Sequence, residues 1–136
     1  MNNNEKTLKT YGQFVKDYLD EHKNDIPETD WLKSSLDGIP KSAKMFEVGS
    51  GTGRDAKFIR SLGYNLQTSD APDELVEHLQ KENLNPIKFN LITDRFQQTY
   101  DYILANAVLV HFSHEEVEAA LAKIFNALNG GGAIRV

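Results

Sequence analysis

MFEVGSGTGRDAKFI, Met45–Ile59, sets three glycines within five positions, at Gly49, Gly51 and Gly53, between a short apolar run and a run with helical spacing. Glu47 stands just ahead of them. A turn of this kind lets a ligand come close to the backbone, because a Cβ at Gly49 or Gly51 would obstruct it. A phosphate-binding loop requires Gly-x-x-x-x-Gly-Lys-Ser/Thr. Five places after Gly49 stands Arg54, followed by Asp55, so the residues do not fit it. A dinucleotide fingerprint requires Gly-x-Gly-x-x-Gly, whose third glycine would also fall on Arg54. Here it comes one place early, at Gly53, which weakens the dinucleotide alternative.

Downstream of the turn, Ala56, Ile59 and Leu62 mark one face of a helix that stops at Gly63. YNLQTS alternates as a strand. Asp70-Ala71-Pro72 opens another helix, with Pro72 in its first turn and Leu75, Val76 and Leu79 on its inner face. PIKFNL is strand-like, and YDYILANAVLV reads as a buried strand through about Asn106 followed by a turn. Ser113 and Glu116 have capping-box spacing ahead of Val117, Ala120, Leu121, Ile124 and Leu128. Gly130-Gly131-Gly132 then stops that helix, and AIRV begins a fifth strand. Upstream, Leu8, Tyr11, Phe14, Val15, Tyr18 and Leu19 recur at helical spacing in a helix that must end before Pro27. ETDWLKSSLDGIP reads as a short second helix with Thr29 or Asp30 as its N-cap.

Strands and helices alternate from Lys44 onward, which predicts an α/β fold: a doubly wound, mostly parallel sheet with helices on both faces. In such sheets ligands sit beyond the carboxyl ends of the strands, where strand order reverses. The glycine turn follows the first strand, where that site belongs. Two segments are expected, an N-terminal helical segment over residues 1–40 and the sheet domain over residues 41–136.

The chain has 136 residues, 40% hydrophobic and 26% charged, enough for one core and too few for two ordinary domains. A net charge of −5 argues against a dedicated nucleic-acid or anionic-membrane surface. The absence of cysteine removes disulfides, thiolate metal sites and a cysteine nucleophile. MNNNEKTLKTYG lacks the apolar core of a signal peptide, and no run is long enough to span a bilayer. The expectation is a soluble, cytoplasmic domain.

Asp70 ends the second strand, where a carboxylate is placed to take the two hydroxyls of a ribose. With Glu-x-Gly-x-Gly-x-Gly upstream, the pattern describes a site for a nucleoside with no requirement for pyrophosphate. FEVGSGTGRDA, then Asp70-Ala71-Pro72, then YDYILANAVLVHF, resemble the class I S-adenosylmethionine-dependent methyltransferases. Within them the chain is similar to the small-molecule branch, whose first motif commonly reads Gly-Cys-Gly-Ser/Thr-Gly-Arg-Asp-Ala. The likeness runs in family order from about Tyr11 to Val136. Ser50 replaces the common cysteine, at a position that mainly offers its backbone.

The resemblance implies a Rossmann-like fold and S-adenosyl-L-methionine as cofactor. It places Glu47, Gly49, Ser50, Gly51 and Gly53 around the methionine and ribose portions, Asp70 on the ribose hydroxyls and Ala71 beside the adenine. Asn90 and Leu91 fall where an acidic side chain often meets the adenine amino group. Asn106 and Ala107 would face the sulfonium end, Tyr11 would help to close the site, and residues 1–40 would form a cap over it. Methyl transfer from a sulfonium is an in-line displacement in which positioning can supply roughly 7–11 kcal/mol. A general base is needed only for an acceptor that arrives protonated. His111 is the candidate, beside Asn106 as a second catalytic candidate, although His111 equally reads as structural. His111 and His114 do not make a metal site, because Glu118 stands where a His-Glu-x-x-His pattern needs histidine. Asp55 reads either as a favourable charge at a helix N-terminus or as part of the site, and Trp31 as packing against the sheet in preference to lining an acceptor pocket.

The family fold has seven strands, and about five are present, so the sheet is expected to expose an edge. That pattern suits a fragment of a longer enzyme, a short form that self-associates through the edge, or a domain that binds cofactor without turnover. The expected function is methyl transfer to a small-molecule acceptor. A cofactor-binding or interaction module and a nicotinamide-dependent oxidoreductase domain are the alternatives.

Overall fold

The computed structural model describes residues 14–106 and 108–136; Tyr11 and Ala107 lie outside them. A first helix, α1, runs over residues 14–22 of the described chain and ends before Pro27, as proline requires. Next come α2 (Thr29–Ser35), β1 (Met45–Glu47), α3 (Arg54–Ser61), β2 (Leu66–Gln67) and β3 (Ser69–Asp70). The chain continues through α4 (Asp73–Lys81), β4 (Ile87–Lys88), β5 (Tyr100–Leu104), α5 (His114–Asn126) and β6 (Leu128–Arg135).

All strand pairs are parallel. One sheet has the order β2-β1-β5-β6, and β3 pairs with β4. Only Thr68 separates β2 from β3, so the two read as one interrupted strand and the order becomes β4, β3/β2, β1, β5, β6. The direction of winding therefore reverses between β1 and β5. Side chains alternate across this sheet as a pleat dictates, except at the irregularity between Tyr100 and Tyr102. Met45, Leu66, Tyr102 and Leu104 pack with Leu32 and Leu36 of the α2 region and with Ala56 and Ile59 of α3. Phe46, Val48, Tyr100 and Ile103 face the other way, onto Phe89 and onto Ala120 and Ile124 of α5. The Phe46 ring meets those of Phe89, Phe96 and Tyr100 with centroids 5.2, 5.2 and 5.1 Å apart. The expected doubly wound sheet with helices on both faces is present.

The capping box of α5 forms as its spacing predicts. Glu116 N–H donates to Ser113 Oγ at 3.2 Å, and Ser113 N–H to Glu116 Oε1 at 2.9 Å. Four local expectations need correction. The strand expected to reach Asn106 ends at Leu104, where the chain turns into the site. Glu28, not Thr29 or Asp30, occupies the N-cap of α2, without a side-chain cap bond. Trp31 is 36% exposed and does not pack as core. The triple glycine is not a linker ahead of the last strand. It lies inside β6, where pairing jumps from Tyr100↔Leu128 to Tyr102↔Ala133, with Gly131 at φ 80°. The extra residues are absorbed as a bulge, pinned by Asn129 Nδ2 donating to Asp101 Oδ1 at 2.8 Å.

Candidate functional site

Where winding reverses, the turn after β1 crosses the carboxyl ends of the strands. Gly49, Gly51 and Gly53 have φ of 69°, 58° and 86°, a region that side chains with a Cβ rarely adopt. At Gly49 a Cβ would lie 2.7 Å from Val108 Cγ2, and at Gly51 it would lie 3.2 Å from the Tyr18 hydroxyl. The turn is fastened to its neighbours by short bonds. Val48 N–H donates to Leu104 O at 2.8 Å, Ser50 N–H to Ser69 O at 2.7 Å, and the Ser69 hydroxyl to Glu47 O at 2.6 Å. Ser50 does more than offer backbone. Its hydroxyl accepts from Ser69 N–H at 3.1 Å and also bonds the Glu47 carboxyl. From α4, His78 Nε2 reaches Thr52 O at 3.1 Å, a further tether on the turn.

A cleft of about 220 Å3 opens over this turn. Its walls include Glu47, Gly49, Ser50 and Gly51 from the turn and Asn106 after β5, with Tyr18 and His22 of α1 opposite. Asp70, at the end of β3, is not among the lining side chains but is bonded to Gly51 of the cleft wall. Its two carboxylate oxygens accept from Gly51 N–H and Ala71 N–H, each at 2.8 Å. Burial pushes the Asp70 carboxyl above its ordinary pKa, and those two backbone donors oppose the shift.

Glu47 is 3% exposed, and its Oε1 has no hydrogen-bond partner among the described residues. Burial raises its pKa from 4.5 to about 8, opposed by the Ser50 bond and reinforced by the carboxylates of Asp55 and Asp70. Across the cleft mouth runs a polar chain. His22 Nδ1 lies 2.7 Å from Asp25 Oδ2, and Arg54 Nη1 lies 3.7 Å from the same oxygen. Arg54 Nε donates to Asp55 Oδ1 at 3.0 Å, and Asn106 Nδ2 to Asp55 Oδ2 at 3.1 Å. Asp55 thus does more than sit at a helix N-terminus: it ties α3 to the end of β5.

The structure brings together Glu47, Gly49, Ser50, Gly51, Asp70 and Asn106, while Gly53 packs behind them against Leu84 and Leu79. Asn90 and Leu91 follow β4, farther along the same sheet edge. Leu91 is buried in the second core cluster, and Asn90 Oδ1 accepts from Ile92 N–H at 3.0 Å within its own turn. His111 ends a 3-10 turn over Leu109–His111, is exposed, and is not among the cleft-lining side chains. Two residues with clear structural roles escaped sequence reasoning. Tyr18 carries its hydroxyl over Gly51, although helical spacing suggested only a core residue. Lys123 of α5 donates to Leu91 O at 2.7 Å, Ile92 O at 3.1 Å and Asp94 O at 2.6 Å, clamping the turn after β4. Neither contact has a signature in local spacing. Among the described residues no cluster of His, Asp and Glu could hold a metal ion, and no helix is long and apolar enough to cross a membrane.

Comparison with known proteins agrees with this geometry. The chain is similar to a probable S-adenosyl-L-methionine-dependent methyltransferase TehB of Haemophilus influenzae, 26% identical over 100 residues. That match takes in 69% of this chain and 35% of the relative, so the chain spans about a third of the relative's length. Among solved structures, a TehB-like SAM-dependent methyltransferase from Corynebacterium glutamicum superposes with a TM-score of 0.71 at 23% identity, covering 96% of this chain and 71% of that one. Magnesium protoporphyrin IX methyltransferase from Synechocystis, solved with bound SAM, gives 0.78 at 15% identity, covering 95% and 73%. At these identities the superpositions establish the fold. The family model described as tellurite resistance protein TehB matches residues 14–135, nearly the whole chain, and the chain belongs to that family.

Proposed function

We propose that the cleft binds S-adenosylmethionine and that the protein transfers its methyl group to a small-molecule acceptor. The observation that carries this reading is the cradle itself: a left-handed glycine turn at the point of strand reversal, with Asp70 bonded to it and a buried carboxyl whose Oε1 has no partner among the described residues. A nucleoside bearing a cation fits those acceptors, since the glycines admit close approach and the carboxyls of Asp55 and Asp70 lie near that of Glu47. When bound, the cofactor supplies an electrophilic methyl carbon on a sulfonium.

The chain's own residues would then work as follows. Gly49 and Gly51 admit the ligand to the backbone, and Asp70, oriented by two N–H groups, takes the ribose hydroxyls. Ala71, with Asn90 and Leu91 beyond it, borders the adenine. Asn106, fixed through Asp55, and the neighbouring Ala107 face the reacting end. Tyr18 and His22 cap the cleft and keep water out. His111 lies outside this set and has no assigned part in the transfer.

Calorimetry with S-adenosylmethionine, its demethylated product and NAD tests the reading. Binding of the first two alone is expected, and binding of NAD alone would overturn it. Asp70→Ala should weaken binding by about 1–3 kcal/mol, and unchanged affinity would remove Asp70 from the site. Turnover is read separately from product formation with amine, hydroxyl, thiol and tellurite acceptors. Binding with uniform silence across that panel would instead make the chain a cofactor-binding module.

A further inference from the structure

We infer that the cleft takes up its cationic ligand in exchange for a proton: Glu47 is a carboxylic acid in the ligand-free chain and releases its proton to solvent when a sulfonium or ammonium group enters beside it. This rests on the proposed cofactor reading and adds to it a charge balance and a source of ligand selectivity.

The geometry supports it from three directions. Glu47 closes β1 with its carboxyl in the cleft wall, 3% exposed, with Oε1 unpartnered among the described residues. An ionised carboxylate left buried in this way is costly, whereas the protonated acid needs far less solvation. The surrounding charges do not compensate. On α3 stand Arg54 and Asp55, at the end of β3 Asp70, and on β5 the Tyr102 phenol, whose hydroxyl is bonded to Ser35. From α1 and the loop after it come Tyr18, His22 and Asp25. The one guanidinium among these groups is committed to Asp55 and Asp25. A carboxyl so placed holds its proton until a cation arrives, titrating at about 8 in the free chain. The exchange balances: the O–H bond of Glu47 breaks, the proton goes to buffer, and the carboxylate pairs with the ligand cation.

Two consequences separate this from a carboxylate that is ionised throughout. Below about pH 7 affinity for S-adenosylmethionine rises close to tenfold per pH unit. A neutral nucleoside of the same shape, 5′-methylthioadenosine, gains nothing from the exchange and is selected against as pH rises. The test is calorimetry at about pH 6.5, below the ~7.7–8.0 range of an α-amino group, in buffers of different ionisation enthalpy. The dependence of observed heat on buffer counts the protons. Wild-type chain should release about one proton per S-adenosylmethionine bound and none with 5′-methylthioadenosine. E47Q should bind S-adenosylmethionine more weakly and with no proton release. Binding by wild-type without a buffer-dependent heat, or equal release with the neutral nucleoside, overturns the exchange while leaving the cofactor reading intact. No binding of S-adenosylmethionine at all overturns the cofactor reading, and the exchange with it.

Discussion

Replacing Glu47 by glutamine in the ligand-free chain isolates what the buried acid contributes to folding. In the unfolded chain this carboxyl titrates near 4.5, and in the folded chain at about 8. Between those values the folded protein keeps a proton that the unfolded chain has lost, so stability falls as pH rises. Glu47 costs nothing below the unfolded value. Its penalty grows by about 1.4 kcal/mol per pH unit and levels off above about 8 at roughly 5 kcal/mol. Against a total stability of about 5–15 kcal/mol this is a large fraction. Urea unfolding of wild-type and E47Q at about pH 5.5 and about pH 7 supplies the measurement. Groups shared by the two proteins cancel in the difference, which should move by about 2 kcal/mol in favour of E47Q. Parallel pH profiles for the two proteins would refute the burial argument, because they would mean that Glu47 titrates alike in the folded and unfolded chains.

Gly49→Ala should cost more than Gly38→Ala. Both have positive φ, at 69° and 77°, but only at Gly49 would the methyl lie 2.7 Å from a Val108 carbon. Gly38→Ala pays about 1–2 kcal/mol for the left-handed backbone, and equal losses in thermal unfolding would show that Val108 gives way freely. Lys123→Met keeps the aliphatic stem and removes three bonds to carbonyls, so a loss of about 1.5–3 kcal/mol is expected. Hydrogen exchange should accelerate at Ile92 and Asp94, and unchanged protection there would dismiss the clamp. Tyr102→Phe removes a buried 2.9 Å bond to Ser35 Oγ, which still donates to Leu32 O, and should cost about 1 kcal/mol in urea unfolding.

The features legible in the sequence are those whose cause is local. Ser113 and Glu116 predict a capping box because one helical turn separates them. The glycines of residues 49–53 predict a left-handed turn because few other residues tolerate it. Asp70 was found because the fold class fixes where a second strand ends. The contacts that escaped join residues distant in sequence: Tyr18 over Gly51, His78 on Thr52, and Lys123 on the turn after β4. The side-chain bonds of Ser50, read mainly as a backbone position, have no local signature because its partners, Glu47 and Ser69, come from two different strands. The triple glycine was misread for a related reason. Locally it is a helix stop, and only pairing with β5 turns it into a bulge. His111 followed an apolar run, and nothing in that run foretold that the chain would leave the sheet at Leu104 and place His111 at the end of a 3-10 turn.

The Lys123 clamp also bears on the order in which the molecule becomes competent. The residues of the glycine turn and Asp70 lie within about the first half of the chain, although Val48 beside the turn bonds Leu104 of β5. The turn after β4 takes its shape from an ammonium group some thirty residues farther along, on a helix that must first dock against Phe46 and Ile103. A domain emerging from a ribosome generally folds as a unit. A nascent chain that stops short of Lys123 therefore lacks the fastening of the turn after β4. Ligand binding would begin late in synthesis, with α5 acting as the final catch.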